Sequence, residues 1–174
     1  MSKNIRVSSC AVTYRTGLFL GLARTPLFDA LDNRMTLERP ALLVLDTLAD
    51  FFGGNENDRA QARQFIGMLR GLAIRHDCAV LLLSHPSVAG ISSGVGSSGS
   101  TAWNNSVRSR LYLSRVTGED GYEPNPDARR LAVKKSNYGR IGAEILLHWD
   151  KGVFVAEEMP TRAEHYAMGW KRPF

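Results

Sequence analysis

The sequence predicts an α/β fold with a mostly parallel sheet flanked by helices. Two observations carry that prediction. ALLVLD (41–46) and AVLLLS (79–84) are short, unbroken apolar runs, the pattern of strands buried on both faces. Between them, residues 57–76 place Phe65, Ile66, Leu69, Leu72 and Ala73 on one face at a spacing of about 3.6. Strand, helix, strand with short connections is a βαβ unit, which closes a parallel pair through a right-handed crossover.

The elements follow in order. Residues 1–24 offer only short β-prone pieces, RVSSCAVTY and GLFLGLA. Thr25-Pro26 pairs an N-cap with a proline at the first helical position and opens a helix to about Leu37. FFGGNEND reads as the loop between the first buried strand and the long helix. From Ser87 to Ser100, ten of fourteen residues are Ser or Gly, which predicts a mobile segment with little to bury. TAWNNSVRS is a short helix. RLYLSRV, RRLAVKKS, AEILLHWD and GVFVAEE are strands, with turns at SNYGRIG and DKG, and they place antiparallel strands at the C-terminal end. The last fifteen residues show no pattern, and no internal repeat occurs.

Composition sets the class. A chain of 174 residues, 44% apolar and 22% charged, suits one globular domain with a real core. No run approaches the roughly 18 apolar residues of a membrane span, and MSKNIRVSSC lacks the apolar stretch of a signal peptide. Cys10 and Cys78 are too few for a disulfide framework or a zinc cluster. The chain therefore reads as cytoplasmic, with no membrane partner. Its net charge of +5 suits a polyanion, and eight basic residues fall between Arg108 and Arg140.

GVGSSGST (94–101) is one residue from a phosphate-binding loop, with Ser100 where the lysine would stand. A phosphate loop follows its strand directly and needs that lysine to neutralise phosphate charge. Gly94 lies ten residues beyond Ser84, so both requirements fail. The strand ending LLVLD is more suggestive. A rigidly held Asp46 carboxylate at a strand end suits a nucleotide-bound magnesium, a hard cation that takes oxygen ligands. Strands also end in Asp because it starts turns. Ser84 and His85 close the next strand at the carboxyl edge, where open α/β sheets bind ligands. A loop histidine bonded only to backbone or water is the plain alternative for His85.

Taken together, LLVLDTLADFFGGNENDRAQARQFIGMLRGLAIRHDCAVLLLSHPS, the Gly/Ser loop and GSTAWNNSVRSRLYL resemble the AAA ATPases of the RecA-like class found in plasmid and phage replication. Within them the chain is most similar to the RepA-like hexameric replicative helicases, over roughly residues 25–150. The resemblance implies a RecA-like P-loop NTPase core, with ATP and Mg2+ as cofactors of the complete domain. It also implies single-stranded DNA and identical subunits of a hexameric ring as partners, in a bacterial cytoplasm with a plasmid or phage. By resemblance Asp46 is the Walker B aspartate and metal contact, and His85, with Ser84 beside it, senses the γ-phosphate. Ser93, Gly94, Ser97 and Ser98 lie on the loop facing the DNA channel. Arg108 matches the arginine finger that reaches a neighbour's nucleotide. Arg110 competes for that role and is also a DNA contact. Lys135 is what remains of a late-strand lysine–arginine pair and a further nucleotide contact.

One departure counts against a complete enzyme. The family's phosphate loop, and the glutamate that polarises the attacking water, lie upstream of the Walker B strand. Only 40 residues precede ALLVLD, and no G-x-x-x-x-G-K-[ST] occurs among them. The expectation is a partial RecA-like domain over residues 1–158, incomplete at its N-terminus, with a tail at 159–174. Such a chain binds no ATP tightly by itself and exposes one side of its parallel sheet. A truncated gene, a fragment and one piece of a split enzyme all fit, the last with a separate or upstream segment carrying the phosphate loop. Two functions stay open: part of an ATP-dependent helicase, or a non-catalytic module that binds single-stranded DNA or partner subunits. A Ser/His hydrolase fits poorly, because Ser84 and His85 are adjacent on a strand and no G-x-S-x-G elbow occurs.

Overall fold

Residues 12–15, 21–96, 99–118 and 120–157 are described by the computed structural model, in two units that divide between Arg108 and Ser109. The expected tail at 159–174 lies outside the described residues.

In the first unit, β1 (Val12–Arg15) pairs antiparallel with β2 (Gly21–Arg24). α1 (Pro26–Glu38) starts where the sequence predicts: the Thr25 hydroxyl accepts from the Phe28 amide, and Pro26 opens the helix. It stops at Arg39, which turns left-handed (φ 46°) and returns its amide to the Met35 carbonyl. Its inner face is Phe28, Leu31, Asp32 and Met35, a helical spacing with one carboxylate set into it.

Two parallel strands follow, β3 (Leu42–Leu45) and β5 (Ala79–Leu82), in the register Leu42↔Ala79 to Leu45↔Leu82. The crossover helix α3 (Arg59–Arg75) begins two residues later than the sequence predicts, because the Asp58 carboxylate caps the amides of Ala60 and Gln61. Ala62, Phe65, Ile66, Leu69 and Leu72 bury its inner face. At its surface the Gln64 amide side chain bonds the Leu22 backbone twice, accepting from its N–H and donating to its carbonyl, each at 2.8 Å.

The stretch expected as a plain loop is more ordered. α2 (Leu48–Phe51) leads into β4 (Phe52–Gly53), which lies parallel to β1. Phe51 and Phe52 are both buried, and the Asp50 carboxylate on the Thr47 amide together with the pairing to β1 holds this stretch in regular structure. The Ser/Gly segment likewise starts with a helical turn, α4 (Val88–Ser92), capped by the Ser87 hydroxyl on the Gly90 amide at 3.1 Å. α5 (Thr101–Ser106) packs on α3.

Leu43 and Leu45 point into the core, with Val80 and Leu82 packed beside them. On the opposite face of the same two strands, Leu42, Leu81 and Leu83 are exposed, Leu81 to 44%. Among the described residues β3 and β5 pair only with each other.

The second unit is an antiparallel meander in the order of the chain: β6 (Ser109–Arg115), β7 (Ala128–Ser136), β8 (Glu144–Asp150) and β9 (Val153–Ala156). The last turn is Lys151-Gly152, both at positive φ (45° and 98°), the two-residue geometry that matches strand twist.

Candidate functional site

The ladder between β3 and β5 ends with the Leu83 amide donating to the Leu45 carbonyl at 2.9 Å. The next residue of each strand leaves the sheet: Asp46 from β3, and Ser84 with His85 from β5. A further bond, from the Leu48 amide to the Leu83 carbonyl at 2.7 Å, folds the chain after Asp46 across the end of β5. The carboxyl edge of the parallel pair therefore presents Asp46, Ser84 and His85 together, and all three are exposed. The Ser84 hydroxyl reaches the His85 carbonyl at 3.4 Å, a weak local contact.

The turn after Asp46 is held by Asp50, which sequence reasoning missed. Its Oδ2 accepts from the Thr47 amide at 3.0 Å and from the Thr47 hydroxyl at 3.1 Å. Those bonds, the backbone one first, hold the Asp50 carboxyl below the usual carboxylate range. Thr47-Leu-Ala-Asp50 has the capping-box spacing, so the signal was present in the sequence.

The glycine loop has a defined path on both sides. Gly94 and Gly96 sit at φ 67° and 64°, a region that suits only glycine here. The Gly94 amide donates to the Ile91 carbonyl, and the Gly96 amide to the Gly90 carbonyl at 2.8 Å. Ser93 ends α4, its hydroxyl at 3.4 Å from the Gly90 carbonyl. Ser97 and Ser98 lie outside the described residues. Downstream, the Trp103 indole N–H donates to the Glu56 carbonyl at 2.9 Å, a contact the sequence did not suggest.

Arg108 is exposed, two residues past α5, whose last turn is tied to α3 by the Arg70 guanidinium donating to the Ser106 carbonyl at 3.2 Å. Arg110 and Lys135 belong to the second unit, where they are cross-strand neighbours on β6 and β7. The two arginines that compete for the finger role therefore sit in different units. Asp46, Ser84 and His85 share one edge, and Arg110 and Lys135 share one strand pair.

Residues 13–90 match a family model described as an AAA domain. The structure superimposes on the ATPase domain of G40P with a TM-score of 0.60 at 19% identity, covering 76% of this chain and 51% of that one. It superimposes equally well (0.60, 18% identity, 76% of this chain) on a DnaB-like replicative helicase solved for its interactions with primase, of which it covers 34%. The fold is that of a RecA-like ATPase domain. The chain spans about half the length of the first relative and about a third of the second. Within the RecA-like fold, Asp46 and His85 stand at the carboxyl ends of neighbouring parallel strands, and Asp46 and Ser84 fall inside the matched AAA segment together with the start of the glycine loop.

Proposed function

We propose that this chain is the downstream part of the ATPase domain of a RepA-like replicative DNA helicase, associated with a plasmid or phage in the bacterial cytoplasm. It works as a ring of identical subunits on single-stranded DNA, with residues 1–158 as the partial domain and 159–174 as a tail. One observation carries most of the reading: β3 and β5 end side by side and set Asp46 and Ser84–His85 on one edge. That is the ligand-binding edge of an open α/β sheet.

The residues present fit a magnesium nucleotide in part. Asp46 offers an exposed hard oxygen donor. Among the described residues no group of three or more His, Cys, Asp or Glu gathers into a metal cage. That is compatible with magnesium, which nucleotide sites hold by one or two carboxylates with water and phosphate oxygens. When bound, the ion neutralises charge on the phosphates. Asp46 would hold that ion, Ser84 and His85 would offer hydrogen bonds toward the γ-phosphate, and Lys135 would be a further contact for a phosphate oxygen. Arg108 is offered to a neighbouring subunit's nucleotide, where its guanidinium meets charge developing in the transition state. The missing part is a cradle of backbone N–H groups, since no G-x-x-x-x-G-K-[ST] occurs in the 174 residues. It comes from a segment outside them. Ser93, Gly94, Ser97 and Ser98 of the glycine loop, with Arg110, meet the DNA.

The test supplies that segment. A strand, phosphate loop and helix from a related ATPase are fused ahead of the chain, and ATP hydrolysis is followed with and without oligothymidylate. DNA-stimulated hydrolysis that Asp46→Asn reduces at least about 100-fold supports the reading. Oligonucleotide binding that ignores both ATP and Asp46→Asn supports a non-catalytic module instead.

A further inference from the structure

A carbonyl oxygen has two lone pairs, and that of Glu56 uses both on the root of the glycine loop. It accepts from the Ser100 amide at 3.1 Å and from the Trp103 indole N–H at 2.9 Å. The approach is close enough to dictate the residue before it. Gly99 is left-handed at φ 62°, and a Cβ there would stand 2.9 Å from the Glu56 oxygen. Only glycine lets the backbone pass.

The indole is packed as well as hydrogen-bonded. Its ring stands edge-on to Phe52 (centroids 5.0 Å apart, interplanar angle 90°) and close to Phe65 (6.1 Å, 74°), and Phe65 is fully buried on α3. The loop's other root is fixed as well, by the Ser87 cap on Gly90 and the Gly96 amide on the Gly90 carbonyl. Gly94–Gly96 thus leaves an anchored turn, and the chain comes back to an anchored tryptophan. A loop held at both roots loses less conformational freedom when a ligand orders it.

We propose that Trp103, acting through the Glu56 carbonyl, is the positioning residue that sets the conformation from which the glycine loop meets single-stranded nucleic acid. The proposal rests on the reading that this loop contacts such a strand. Trp103 itself touches no nucleotide in this scheme.

The experiment uses the whole 174-residue chain and two readouts: amide exchange at Ser100, and fluorescence anisotropy of a labelled oligothymidylate across a salt series. Trp103→Phe keeps a six-membered ring near Phe52 and Phe65 and removes the indole N–H with the rest of the five-membered ring. It is expected to speed Ser100 exchange and weaken oligonucleotide binding, each about fivefold, the worth of one hydrogen bond. The salt slope should hold, because no phosphate contact is lost. Gly99→Ala attacks the same anchor from the backbone side, because its methyl crowds the Glu56 oxygen and the Trp103 Nε1 while the whole indole stays in place. It should act in the same direction, which covers the case of a Trp103→Phe chain that fails to fold. Unchanged Ser100 exchange in both variants overturns the anchor. Faster exchange with unchanged affinity overturns Trp103 as the positioning residue. A wild-type chain that binds no oligothymidylate, while Trp103→Phe still speeds exchange, overturns the nucleic-acid reading and supports the anchor.

Discussion

The two units differ in how they keep apolar groups from water. In the first, a 17-residue helix buries Phe65 and Leu72 in one core with Leu43 and Leu45 of the parallel pair, and Met35 and Phe65 have no exposed surface. In the second, among the described residues, Ala132 is the sole buried apolar side chain, while Leu111, Leu113 and Trp149 are about half exposed. Its order comes from the ladder and the turns: seven cross-strand pairs between β6 and β7, and a Lys151-Gly152 hairpin. The first unit is specified by packing and the second by register. The same substitution should therefore cost much more in one than in the other.

The largest expected effect separates the units by function. In the domain completed with a phosphate loop, Arg108→Ala should lower DNA-stimulated ATP hydrolysis by about 10³-fold or more while leaving ATP binding nearly intact. Arg110→Ala, on the second unit, should change the rate far less and weaken oligonucleotide binding. Mixing Arg108→Ala subunits with subunits lacking Asp46 should restore part of the activity, because an intact finger and an intact site then come from different chains. A normal rate in Arg108→Ala would move the finger to Arg110.

Stability gives the next contrast. Phe65→Ala removes a fully buried ring and should cost about 3–5 kcal/mol in urea unfolding. Trp149→Ala, at 47% exposure, should cost under about 1 kcal/mol. Equal costs would mean that the second unit is packed more tightly than its exposures indicate.

A smaller effect than that of Phe65→Ala is an acid limb in the first unit. Asp32 is buried on α1, where its Oδ1 meets His76 Nε2 at 2.6 Å and its Oδ2 meets Arg24 at 2.7 Å and also Arg75. Burial pushes this carboxyl up, but the hydrogen bonds from His76, Arg75 and Arg24 and the Arg75 charge outweigh it and bring it to about 2. A folded pKa below the unfolded value of 3.8 means stabilisation that is complete above that pH and lost as pH falls toward about 2. The amount is on the order of 2 kcal/mol. Wild-type stability should therefore drop between pH 4 and pH 2. Asp32→Asn should be less stable at neutral pH and should lose most of that drop.

What was legible in the sequence was whatever periodicity and caps encode locally. Thr25-Pro26, the apolar face of α3 and the strand character of the two apolar runs read correctly, because each signal lies within one element. Burial on both faces of those strands did not follow, since Leu42 and Leu81 are exposed. β4 was missed, since a two-residue strand has no period to detect. Asp32 was invisible for a different reason. A carboxylate on an apolar face makes sense only once Arg75 and His76, more than 40 residues away, are known to close on it. The Trp103–Glu56 bond spans 47 residues and was hidden in the same way. For the candidate site, the shared edge of Asp46 and His85 followed from the parallel pair. The support beneath them, Asp50 on Thr47, was readable as a capping box and was overlooked.

Gln64 has a consequence beyond α3. Among the described residues β2 is the outer strand of its sheet, and an outer strand offers its backbone to any passing chain. The Gln64 amide carries a donor and an acceptor at the spacing of a peptide group, and it fills both places at Leu22. A side chain thus stands in for the strand that would otherwise come next. It closes that rung to domain swapping and to fibre growth, a protection against self-association built from one residue of a helix.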